Sequence, residues 1–149
     1  MDERVRKLKS PEECERFIKN AIRLKHPELA EEARRRAVEL RAAEYGSSSQ
    51  AEKECLQAIY AYEEVLTKKN GRRTRASRTW QMIKRHGILA SAERAVDRQA
   101  ETAGYKALAE MGLQEFAFEA VILRHPHLFS ENAVRRSKER MNEWDKDDR

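Results

Sequence analysis

Apolar residues in this chain recur every three to four positions from Cys14 to Trp144, and no stretch alternates apolar and polar residues in a β-branched run. That spacing predicts helices throughout and no sheet. The clearest case lies between Glu52 and Leu66. There Cys55, Ala58, Ile59, Tyr62, Val65 and Leu66 follow the i, i+3, i+4, i+7 rule of a single helical face.

Start and stop signals bracket this pattern. Ser10-Pro11-Glu12-Glu13 reads as a capping box with proline at the first helical position. The helix it opens should bury Cys14, Phe17, Ile18, Ala21 and Ile22, and stop near Lys25, because Pro27 disfavours helical geometry at His26. A second helix is expected from Pro27 to about Ala43, with Leu29, Ala33, Ala37 and Leu40 inward and Gly46 as its stop. Ser49 and Glu52 form another capping box, and Asn70-Gly71 closes that third helix.

The later elements are shorter. Ser77 is expected to cap a helix carrying Trp80 and Ile83 and closed by Gly87. A fifth helix should cover about 88–100, burying Ile88, Ala92, Ala95 and Val96. Gly104 reads as a break, followed by a helical turn from Tyr105 to Met111. A sixth helix should run over about 114–124 with Phe116, Ala117, Ala120 and Val121 inside. The seventh should begin after Ser130, with Val134, Met141 and Trp144 on one side.

The fold expected is a compact all-α single-domain bundle of about seven helices over residues 10–144. Residues 1–9 read as a flexible charged segment and 145–149 as a disordered tail. A chain of 149 residues buries about 70% of its unfolded surface, enough for a real core. With 5 Gly, 3 Pro and 38% charged residues, the composition fits an all-helical protein.

One segment is echoed. Phe17–Leu29 (FIKNAIRLKHPEL) and Phe116–Leu128 (FAFEAVILRHPHL) are offset by 99 residues and identical at six of thirteen positions. This fits a duplicated helix–His-Pro–helix hairpin. It equally fits two independent uses of His-Pro to end one helix and start the next. His26 and His125 are expected at helix ends, bonded to terminal carbonyls, since no further ligands stand at metal-binding spacing.

Charge changes the picture at one place only. Residues 65–92 carry eight basic side chains and no acidic one, while residues 1–64 carry 13 basic and 14 acidic, and 93–149 carry 10 and 12. An uncompensated run of this kind projects a positive field toward a polyanion. The candidate nucleic-acid-binding residues are Lys68, Lys69, Arg72, Arg73, Arg75, Arg78, Lys84 and Arg85, with Trp80 as a plane on which an unpaired base could stack. Replacing Arg72, Arg73 and Arg75 together is expected to leave stability unchanged. The competing expectation is internal pairing, with Glu63, Glu64, Asp97 or Glu101 as partners. Ser77–Val96 also resembles the outline of a helix-turn-helix, with Ser91, Glu93, Arg94 and Arg98 as the base-reading candidates.

Catalytic signatures are absent from the sequence. It has no GxxxxGK[ST] loop, GxSxG elbow, HExxH, or HxE with PCxxC. No catalytic residue, cofactor or metal site is expected, and no apolar run approaches the roughly 20 residues of a membrane span. Cys14 and Cys55, without a CxxC or a signal peptide, read as reduced core residues of a cytoplasmic protein. The function expected is a nucleic-acid-binding helical module or accessory subunit acting on DNA or RNA. The alternatives are an interaction domain for an acidic protein and a small nuclease with an unrecognised site.

Overall fold

A computed structural model describes residues 1–97 and 102–147. Among them are nine α-helices, two 3-10 turns and no strand. In chain order the helices are α1 Glu3–Arg6, α2 Pro11–Arg23, α3 Pro27–Tyr45, α4 Gln50–Asn70, α5 Ser77–His86, α6 Ile88–Asp97, α7 Thr102–Glu110, α8 Phe118–Arg124 and α9 Glu131–Asp147. The all-helical expectation holds.

Both capping boxes form. The hydroxyls of Ser10 and Ser49 each accept the backbone N–H three residues on, from Glu13 and Glu52 at 3.2 Å. The returning carboxylates reach one residue beyond the cap, to the N–H of Lys9 at 2.7 Å and of Ser48 at 3.1 Å. Gly71 ends α4 in the left-handed conformation, φ 70°, which glycine adopts without a Cβ penalty. Lys25 does the same for α2 at φ 63°, and the motif closes with His26 N–H on Ala21 O (2.8 Å) and Lys25 N–H on Ile22 O (3.1 Å).

The core is organised around α4. Cys55 and Ala58 pack with Ala92 and Val96 of α6, Val121 and Ile122 of α8, and Phe129 and Ala133. Leu56 and Ile59 meet Ala42, Ala76 and Ile83, whereas Ala61 meets Val38, Leu108, Met111, Leu113 and Phe116. At 100° per residue these positions, together with buried Glu54, Glu63 and Glu64, surround the whole circumference of α4. One apolar stripe was expected; instead buried residues occur all round the helix, while Tyr62 of the expected stripe is exposed. The α2–α3 hairpin closes on itself through Ala21, Leu29 and Ala30, and Val38 and Ala42 of α3 join it to α4.

Several boundaries differ from expectation. Ile22 is 54% exposed, because α2 covers only α3 and that contact uses Phe17, Ile18 and Ala21. Residues 1–9 contain α1, capped by Asp2 and anchored by fully buried Val5. Ser77 is the first residue of α5, and Ala76 stands at the cap position, its carbonyl accepting the N–H of Trp80 at 3.1 Å. Helix α7 runs through Gly104, and the expected sixth helix is split into a 3-10 turn at Gln114–Phe116 and α8. The expected tail is helical as far as Asp147. The end of the expected fifth helix, with Arg98, lies outside the described residues, as does Glu101.

The two echoed segments share a junction but not an environment. The backbone at His26 (φ −116°, ψ 72°) and His125 (φ −129°, ψ 52°) is nearly the same, each before a proline at the first helical position. Ile22 is exposed and its counterpart Val121 fully buried. Neither histidine takes the expected terminal carbonyl. His26 Nδ1 lies 3.3 Å from Glu28, and His125 Nε2 lies 2.7 Å from buried Glu54.

Candidate nucleic-acid interface

The basic segment starts in the last turn of α4. Lys68 and Lys69 project there, where cations favour the negative end of the helix dipole. After Gly71 the chain folds back along α4. Thr74 N–H donates to Thr67 Oγ1 at 3.0 Å, and Ala76 N–H donates to Glu63 Oε2 at 2.8 Å. Thr67 and Glu63 stand one helical turn apart, so successive connector amides dock on successive turns of the same face. Asn70 and the Arg72 carbonyl both bond the Thr74 hydroxyl and tighten the turn.

Two of the expected binding residues pair with buried carboxylates. Arg73 bonds Glu64 at 3.0 Å and stands 3.6 Å from Glu15, its side chain 35% exposed. Arg41 completes this group, 2.6 Å from Glu15 and 2.8 Å from Glu64, so two arginines face two carboxylates. Arg75 Nε lies 3.7 Å from Glu63, with its guanidinium 5.2 Å from the Trp80 ring centroid. The pairing expected with Glu63 and Glu64 therefore forms. Asp97 instead meets Arg136, and Glu101 lies outside the described residues.

Charge matching then leaves Lys68, Lys69, Arg72, Arg78, Lys84 and Arg85. All six are exposed, and none makes an ion pair with another described residue. On α5 the buried side runs through Trp80 and Ile83, which places Arg78 and Arg85 on the opposite, solvent-facing side about two turns apart.

Trp80 is held as part of the fold. Its indole Nε1–H donates to Glu63 Oε2 at 2.7 Å. Its ring stacks on Tyr45 (centroids 5.3 Å, 26°) and meets Tyr60 at 5.2 Å, tilted 55°. Glu63 is 2% exposed, and it ties connector and indole to the centre of the domain. Burial raises the pKa of the Tyr60 hydroxyl, and the nearby Glu63 carboxylate adds to this.

The helix-turn-helix outline does not present its second helix. Ser91 is buried, its hydroxyl bonded to Gly87 O at 2.7 Å. Glu93 accepts the Ser130 N–H, and Ala92 and Val96 lie against α4, α8 and α9. Of the four base-reading candidates only Arg94 is exposed among the described residues.

Sequence reasoning named Glu63 and Glu64 as partners for the arginines but did not foresee that both are buried. The available signal was their place: two adjacent acids on a helix with apolar residues on every side, immediately before an acid-free arginine run. Elsewhere, burial acts to raise the pKa of Glu54, but hydrogen bonds from His125 and Arg124 outweigh it and hold the carboxyl below its usual value. Burial pushes the thiols of Cys14 and Cys55 up to about 11 and about 12, and both are free. Among the described residues no three of His, Cys, Asp or Glu gather as a metal site, and no helix is long and apolar enough to cross a membrane. No protein-family model, curated protein or solved structure matches the chain.

Proposed function

We propose that this all-helical domain binds nucleic acid through the surface formed by the end of α4, the 71–76 connector and the outer side of α5. The observation that carries the reading is the set of six exposed cations left over once Arg73 and Arg75 are paired with Glu64 and Glu63. Surface charges with no internal partner contribute little to stability. They do neutralise phosphates, releasing counterions with each contact. The docked connector supports the same reading, since a fixed backbone loses less entropy on binding than a free loop.

In this reading Lys68, Lys69, Arg72, Arg78, Lys84 and Arg85 contact the phosphate backbone. Arg73 and Arg75 hold the connector in shape, with Arg75, 65% exposed, at the edge of the surface. The domain acts as a binding module or accessory subunit. Competition against a labelled oligonucleotide tests this, using duplex DNA, single-stranded DNA, RNA and polyglutamate as competitors. Nucleic acids should displace the label at concentrations where polyglutamate of equal charge does not. Equal displacement by polyglutamate would favour an acidic protein partner instead.

A further inference from the structure

Tyr45, the last residue of α3, is 49% exposed although its ring lies against Trp80. The partner ring is fixed from several directions. Glu63 holds the indole N–H, Tyr60 packs at a tilt, and the Arg75 guanidinium lies over the ring. The exposed aromatic surface is thus ordered before any ligand arrives. Two cations stand by the ring on which Tyr45 rests: Arg75 touches Trp80, and Lys84 follows Trp80 by one turn along α5.

A half-exposed, pre-ordered aromatic ring on a domain that carries unmatched cations has a specific use. Bases stack on aromatic side chains regardless of sequence, while lysine and arginine track the strand. Intact duplex keeps its base faces inside the helix and offers such a ring nothing to stack on. We infer that Tyr45 is a base-stacking residue, and that the strand taken by this surface is unpaired DNA or RNA. This rests on the nucleic-acid reading above and narrows it to a substrate class. Trp80 then acts as a positioning residue, buttressing Tyr45 rather than meeting the base itself.

The test uses the full chain and fluorescently labelled 20-mers, one single-stranded and one duplex of the same sequence, titrated at fixed salt and across a salt series. Wild type should bind the single strand more tightly. Tyr45→Ala should lose about 5- to 100-fold on the single strand and no more than about twofold on the duplex. Its salt slope should stay unchanged, since no charge is removed. Tyr45→Phe should retain most of the affinity. Thermal unfolding of both variants checks the fold, and an equal loss on both strands would overturn the inference. If both strands bind with a cation-dependent slope and Tyr45→Ala changes neither, the stacking claim falls and the cationic surface stands. If neither strand binds, both fall.

Discussion

Glu63 sits beneath Trp80, its Oε2 atom accepting the indole N–H at 2.7 Å and the Ala76 backbone N–H at 2.8 Å. One buried carboxylate oxygen therefore fixes the end of the connector, the start of α5 and the aromatic group on which Tyr45 rests. The cationic surface is a docked strap whose shape depends on an acid inside the domain.

Removing that acid should cost stability. Glu63→Ala leaves two donors without their acceptor and should destabilise the domain by about 2–4 kcal/mol, with Glu63→Gln losing less. Chemical denaturation followed by circular dichroism reads this directly. A loss below about 0.5 kcal/mol would mean that the connector holds without Glu63.

The arginines of the connector should separate into two kinds. Arg73→Gln breaks contacts to Glu64 and Glu15 and should cost about 1 kcal/mol, discounted because its side chain is 35% exposed. Arg72→Gln, with no acidic partner among the described residues, should change stability by less than about 0.5 kcal/mol. The pairs at Arg73 and Arg75 run against the expectation that all three arginines could be replaced with stability nearly unchanged. Equal, negligible effects of the two single variants in a denaturant titration would restore it.

Stability should fall in acid, partly through Glu54. Its folded-state pKa lies below the unfolded value near about 4.3, so its contribution is present above that pH and is lost as pH drops through the folded pKa. The unfolded chain binds more protons there, and stability rises with pH. Glu54→Gln should flatten this part of the profile. A profile as steep as wild type between about pH 5 and 3 would remove Glu54 from the account.

Lys25 holds a left-handed conformation at the end of α2, where glycine is free of the Cβ penalty. Lys25→Gly should therefore raise stability, by about 0.5–1 kcal/mol. A lower unfolding midpoint in the glycine variant would show that the lysine side chain contributes more than the strained backbone costs.

Helices, caps and most of the core were legible because they depend on local spacing. Ile59, Val96, Phe116 and Val121 are buried where periodicity placed them. Ile22 is not, because periodicity identifies an apolar side but not whether a neighbouring helix reaches its far end. The burial of Glu63 and Glu64 was illegible for a related reason. An acid is read as solvated unless its partners are known, and those partners lie from 9 to 23 residues away, at Arg73, Arg75, Ala76, Trp80 and Arg41. The cationic segment itself needed only counting. Which of its charges point outward was set by those two acids.

In the proposed reading the six unmatched cations form a polyanion-binding surface. Its most direct measurement is single-strand oligonucleotide affinity across a salt series for wild type and for a variant carrying Lys68→Gln, Lys69→Gln, Arg72→Gln and Arg78→Gln. The account predicts weaker binding, a slope of log K against log salt reduced by up to about 3, and unchanged thermal stability. Wild-type affinity and slope in that folded variant would contradict it.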